Sequence, residues 1–176
     1  MIAQCATSGQ RTRKPALQNR IKPVRLFTSM PFEPLHSRLP ALAEAETRSV
    51  AVLDKSLIPP ADYGFVEMFC NEPGCDCRRV FFTVFSSATK QPEAVIAYGW
   101  ESASFYRKWF KYAVSKDDIA ELMGPVLNMG SPQGRYAPAI LNLFTKVLLP
   151  DKEYIERIKR HYKLFRATVD SRKIVT

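Results

Sequence analysis

Glycine is scarce in this chain, with 7 among 176 residues, and neither a GxGxxG run nor a GxxxxGK[ST] loop occurs. The common backbone cradles for nucleotide phosphates are thereby excluded. Long uncharged runs are missing as well. The longest, such as Leu122 to Gly134, contain Pro and Gly and fall short of the ~18 apolar residues of a membrane helix, so no membrane partner is expected. No continuous apolar stretch marks a secretory leader, and the expected compartment is the cytoplasm. Histidine is limited to His36 and His161 and cysteine to four positions. The deaminase pattern H-x-E with P-C-x-x-C is absent, as are the second C-x2-C pair of a zinc ribbon and the downstream H-x3-5-H of a finger.

Acidic residues are missing from positions 1–28, which hold six basic ones: Arg11, Arg13, Lys14, Arg20, Lys22 and Arg25. This segment lacks apolar periodicity and contains Pro15 and Pro23, so it reads as a disordered basic tail. Met30, just before the first folded-looking sequence, offers an alternative translation start that would leave the tail upstream of the natural protein. Of the formal net charge of +9, the tail carries +6, residues 29–150 carry −1 and residues 151–176 carry +4. Basic ends on a neutral body suit a polyanionic partner, because lysine and arginine on phosphates release counterions. They equally suit a solubilising tail and a solvated helix face.

Residues 29–176 have the length of one domain with a core of its own. Pro40 to Glu46 combines strong helix formers with Pro in the first turn and predicts a short helix. Arg48–Leu53, Tyr63–Cys70, Val80–Phe85 and Ala94–Trp100 are rich in β-branched and aromatic residues and predict four strands, with links too short for crossover helices. A helical period follows from Ser102, with Phe105, Trp109, Tyr112 and Ala113 on one side and Arg107, Lys108 and Lys111 on the other. Ser115 to Asp118 resembles a capping box for a helix ending near Gly124-Pro125. After a turn-rich loop, Tyr136–Leu149 predicts an apolar helix with Ile140, Leu141, Phe144 and Leu148 inward. Asp151 caps a last helix whose apolar stripe is Ile155, Ile158, Tyr162 and Phe165, with Glu153–Arg157 and Glu156–Arg160 as i, i+4 pairs. The expected class is α+β: a mostly antiparallel sheet of about four strands over residues 48–100, then about four helices over 102–166 packed on one face.

The most specific signal is Cys70-Asn-Glu-Pro-Gly-Cys75-Asp-Cys77 between two predicted strands. Pro73 and Gly74 occupy the central positions of a type II turn, which folds Cys70 back towards Cys75 and Cys77. Three soft thiolates suit zinc, and a structural zinc site takes four ligands. His161, beside the apolar stripe of the last helix, is the expected fourth ligand; His36, Cys5, Asp76, Glu67 and water are the other candidates. The same cysteines would also serve as a disulfide, a redox pair or buried thiols. Against a disulfide framework stands the chain length, and against a thioredoxin-like pair stands the C-x-C spacing.

Arg78 and Arg79 follow the cluster directly. Strand alternation sends one to each face, so one is expected near the metal, offsetting thiolate charge. On the last helix Lys159, Arg160, Lys163 and Arg166 form a basic face suited to a phosphate backbone. These features favour a non-enzymatic, zinc-stabilised accessory protein that binds nucleic acid or an acidic protein. The alternatives are a small zinc-dependent hydrolase or transferase, with Glu67 or Asp76 as base and Arg79 steadying an anionic substrate, and a protein–protein adaptor without metal.

Overall fold

The computed structural model describes residues 31–54, 57–110 and 115–171. The basic tail, Cys5, Met30 and the expected helix positions Lys111, Tyr112 and Ala113 lie outside the described residues.

The protein is an α+β structure with a six-stranded antiparallel sheet and five helices. The four expected strands are β2 (Arg48–Val52), β3 (Ala61–Cys70), β4 (Arg79–Ser86) and β5 (Pro92–Gly99). Two short strands join them: β1 (Phe32–Pro34) and β6 (Val126–Leu127). The ten-residue β3 is long enough to take two partners on its outer edge. β1 pairs with its C-terminal end at Phe32 and Cys70, and β2 with its N-terminal half at Arg48 and Phe65. β4, β5 and β6 follow on the other side.

Side chains alternate across a strand, so Tyr63, Phe65, Glu67 and Phe69 of β3 share one face with Val80, Phe82 and Val84 of β4. All are buried, and Glu67 is the one charged residue among them. The aromatic rows meet α4 (Ala137–Leu143) and α5 (Lys152–Asp170), where Phe82 packs on Phe144 with ring centroids 5.0 Å apart and Phe69 on Phe165 at 5.6 Å. The expected apolar helix from Tyr136 to Leu149 is α4 followed by a π-helical segment, Phe144–Leu148. Ala137, Ile140, Phe144 and Leu148 are buried, while Leu141 is only partly so.

α1 (Pro40–Glu46) coincides with its sequence prediction and buries Ala43. α2 (Ala103–Trp109), capped by Ser102, turns Tyr106 inward; Phe105 and Trp109, expected to form its buried stripe, are only partly covered. The Tyr106 hydroxyl and the Leu122 carbonyl approach Gly99 so closely that any Cβ there would overlap them, which explains glycine at this strand end. α3 (Lys116–Met123) carries the expected capping box, with Ser115 and Asp118 bonded reciprocally. The free edge of β5 is closed by β6 and by the side-chain amide of Gln133, which accepts from the Val95 N–H at 3.0 Å and donates to the Val95 carbonyl at 3.1 Å.

No helix among the described residues is long and apolar enough to cross a membrane.

Candidate metal centre

The loop between β3 and β4 makes the turn its sequence predicts. The Cys75 N–H donates to the Glu72 carbonyl at 3.2 Å, and Gly74 takes the left-handed φ of 75° that the third position of a type II turn demands. Cys70, Cys75 and Cys77 are thereby gathered with their sulfurs all within 4.8 Å of one another. Tetrahedral zinc with sulfur at about 2.3 Å sets sulfurs roughly 3.8 Å apart, so the three are close to the spacing a metal would impose. None forms a disulfide; Cys70 and Cys77 are buried and Cys75 is partly exposed.

Inside this cluster the Cys77 thiol donates to its two neighbours. Its hydrogen bonds hold Cys75 down to about 6 and bring Cys70 below the ordinary thiol range, while the same bonds and burial push Cys77 up. Two of the three sulfurs are thus disposed to be thiolates, the form that ligates metal.

Helix α5 clamps the loop from beneath. Arg166 is only 7% exposed and donates from Nη1 to the carbonyls of Cys70 and Glu72, each at 2.9 Å. Its Nη2 donates to Asp170 at 2.7 Å, and Asp170 accepts the Gly74 N–H at 3.0 Å. One turn earlier, the Tyr162 hydroxyl donates to Asp76 and accepts the Arg78 N–H, both at 3.4 Å.

Arg78 occupies the left-handed region at φ 47°, a conformation few non-glycine residues adopt. Its carbonyl accepts from the Tyr106 hydroxyl at 2.9 Å, and its side chain bridges Asp76 and Glu101 while stacking 4.6 Å from the Phe105 ring. Arg78 thus lies in the turn ahead of β4 and Arg79 opens the strand, so strand alternation does not relate the two. Arg79 is the one that feels Cys77: burial draws its guanidinium down, and the charges of Tyr106 and Cys77 oppose that shift. It donates to the Glu121 carbonyl at 3.2 Å and lies 5.4 Å from the Phe81 ring centroid.

His161 does not join the sulfurs. Its ring is 1% exposed, with Nδ1 2.7 Å from Glu67 Oε2 and Nε2 3.1 Å from Glu46 Oε2. The reason is helical rotation: at about 100° per residue, the position that points Tyr162 at the loop turns His161 towards the middle of β3. Glu67 is held by this histidine and is likewise not directed at the cysteines. His36 is exposed, 3.4 Å from Glu44. Among the described residues no fourth Cys, His, Asp or Glu belongs to the sulfur cluster.

The basic face expected on α5 is also taken apart. Arg166 is buried under the loop, Arg160 is paired with Glu46, and the Glu156 partner is Lys159 at 2.7 Å rather than Arg160. Lys163 remains, and it lines a cleft of about 400 Å³ together with the paired Lys159 and with Asp76, Arg78, Trp100 and Tyr162.

Comparison with protein-family models, curated proteins and solved structures returns no match.

Proposed function

We propose that Cys70, Cys75 and Cys77 hold a zinc ion that fixes the β3–β4 loop, within one domain spanning residues 29–176. The protein would then be a cytoplasmic, non-enzymatic accessory factor. The observation that carries this reading is the convergence of three sulfurs within 4.8 Å, in a loop clamped by Arg166, Asp170 and Tyr162. Three thiolates on a divalent ion leave a net negative charge, and Arg79 is the cation placed to offset it. Partner contact, to nucleic acid or an acidic protein, is assigned to Lys159 and Lys163 beside the loop, with Trp100 and Tyr162 as aromatic neighbours.

Metal analysis of protein purified under reducing conditions tests the centre, with one zinc per chain expected. Chelation should lower the melting temperature by at least about 5 °C, since a ligand at a hundred times its Kd stabilises by about 2.7 kcal/mol. Protein without zinc whose melting is indifferent to chelator would refute the assignment.

One observation favours a second reading, a zinc hydrolase or transferase: no fourth ligand joins the three sulfurs among the described residues. Water in that position would be activated for attack, with Asp76 as base. Metal-edge spectroscopy separates the two, because a structural site has four protein ligands and a catalytic one has an exchangeable oxygen.

A further inference from the structure

Gly64, in the middle of β3, is a glycine that the protein's own packing does not explain. Its φ lies outside the left-handed region, and a Cβ built on it would meet nothing within 4 Å, so neither the backbone nor a neighbour demands glycine. Inside a strand glycine costs stability, and it recurs where another chain or a ligand approaches the backbone closely. The missing side chain leaves a hollow of about 350 Å³ on the sheet, lined also by Ser49, Asp62, Phe85 and Lys90.

Alternation along β3 puts this hollow on the face of the sheet turned away from α4 and α5. Residues directly opposite each other on neighbouring strands share a face, and the register pairs Gly64 with Phe85, Val66 with Thr83, and Thr83 with Val95. One end of this face is closed: Phe32 packs on Phe81 with ring centroids 4.2 Å apart, and Tyr106 and Leu122 reach over Gly99. The other end is open among the described residues, with Val66, Thr83 and Val95 half-buried and Phe85 37% exposed. No atom of Phe85 lies within 4 Å of the Gly64 Cβ position, so the ring does not fill the hollow beside it. Opposite charges flank the two. Asp62 and Lys90 are both exposed at the hollow, and no ion pair engages either side chain among the described residues.

A face that carries a protruding ring next to an empty hollow, and one unpaired charge of each sign, is complementary to itself under two-fold rotation, the symmetry of most dimers. We propose that a second copy of this chain docks here, face to face, with Phe85 of each copy seated over Gly64 of the other and Lys90 of each against Asp62 of the other. The contact is separate in residues from the cysteine loop and does not rest on the metal.

The test is sedimentation velocity of the full chain, purified under reducing conditions, over a series of protein concentrations. A reversible monomer–dimer equilibrium with a micromolar Kd is expected, as for other small interfaces. Gly64→Arg fills the hollow, and the free space around its Cβ lets the fold accept it; dimer affinity should fall roughly tenfold or more, and Phe85→Ala should cost as much, since each dimer loses two anchoring rings. Asp62→Lys should also weaken the dimer by setting like charges against each other, and adding Lys90→Asp should restore it, a rescue that a role within one copy does not predict. If Gly64→Arg or Phe85→Ala does not fold, the charge exchange at the two exposed positions carries the test alone. A monomer at every concentration up to roughly 500 µM, far above the Kd expected, overturns the proposal, whether residues 1–30 of the chain or a different protein then covers the face. So does a dimer whose affinity the folded variants leave unchanged, the mark of an interface elsewhere.

Discussion

His161 and Glu67 meet 2.7 Å apart in the middle of the apolar contact between α5 and β3, and each is at least 97% buried. With Glu46 on the other ring nitrogen and Arg160 behind it, an unbroken chain of polar side chains runs from the core to the surface. Removing one partner of a buried pair strands the other without water. His161→Ala should therefore destabilise the protein by about 3–5 kcal/mol in urea unfolding, more than its lost contact area implies. The double change Glu67→Leu with His161→Leu should recover much of that loss, because an apolar pair strands no charge. If the double variant is as unstable as the single one, the pair contributes more than mutual satisfaction.

Arg166 ties two carbonyls of the cysteine loop to α5. Arg166→Ala should cost roughly 2–4 kcal/mol, since it leaves the carbonyls of Cys70 and Glu72 without their buried donor. If the loop holds zinc as proposed, its affinity should fall roughly 10–100-fold, the usual effect of losing a group that supports ligand residues. Competition with a fluorescent zinc chelator measures this, and unchanged affinity would show that the loop holds its shape without the clamp.

The thiol of Cys75 provides a pH readout. Held down to about 6 by hydrogen bonds from Cys77, it is a thiolate above that pH and a thiol below it. In metal-free protein, its carbamidomethylation by iodoacetamide should be half-maximal near pH 6, whereas an ordinary cysteine needs roughly two units more. Peptide mapping across pH 5–9 gives the profile. Cys77, whose thiol is pushed up, should stay unmodified throughout.

If the cleft beside the loop takes nucleic acid, Lys163→Gln should reduce the salt dependence of binding by roughly one unit of slope, the share of one phosphate contact. Electrophoretic or anisotropy titrations between low and moderate salt show this. Arg160→Gln should leave the slope unchanged, because its charge is spent on Glu46.

The sequence displayed much of this in advance, and the errors are instructive. Strand segments were legible because β-branched and aromatic residues cluster between turn residues, and the Pro73-Gly74 turn because few conformations suit that pair. Helix boundaries at Pro40, Ser115 and Asp151 were legible through proline and caps. What escaped was the width of the buried face of α5, not its direction: Ile158, Tyr162 and Phe165 are buried as expected. Reading Ile155, Ile158, Tyr162 and Phe165 as the inner stripe left Tyr154, His161 and Arg166 outside it, yet all three are buried. A signal existed on β3. Alternation from Tyr63 through Phe65 to Phe69 places Glu67 on the core face, and a buried carboxylate requires a cationic or hydrogen-bonding partner. With only two histidines in the chain, that requirement pointed to His161. The roles of Arg160 and Arg166 were not legible at all, because basic residues one to two turns apart on a helix look alike whether they face water or the underside of a loop.

The Gln133 amide beside Val95 bears on how the protein behaves in company. A side chain that offers one N–H and one C=O at strand spacing imitates a peptide group, and it occupies the donor and acceptor that another chain would use to extend the sheet. On the opposite border, β1 and β2 divide β3 between them. Strand addition is thus disfavoured at the β5 border, and the strands left at the opposite border are the short β1 and β2.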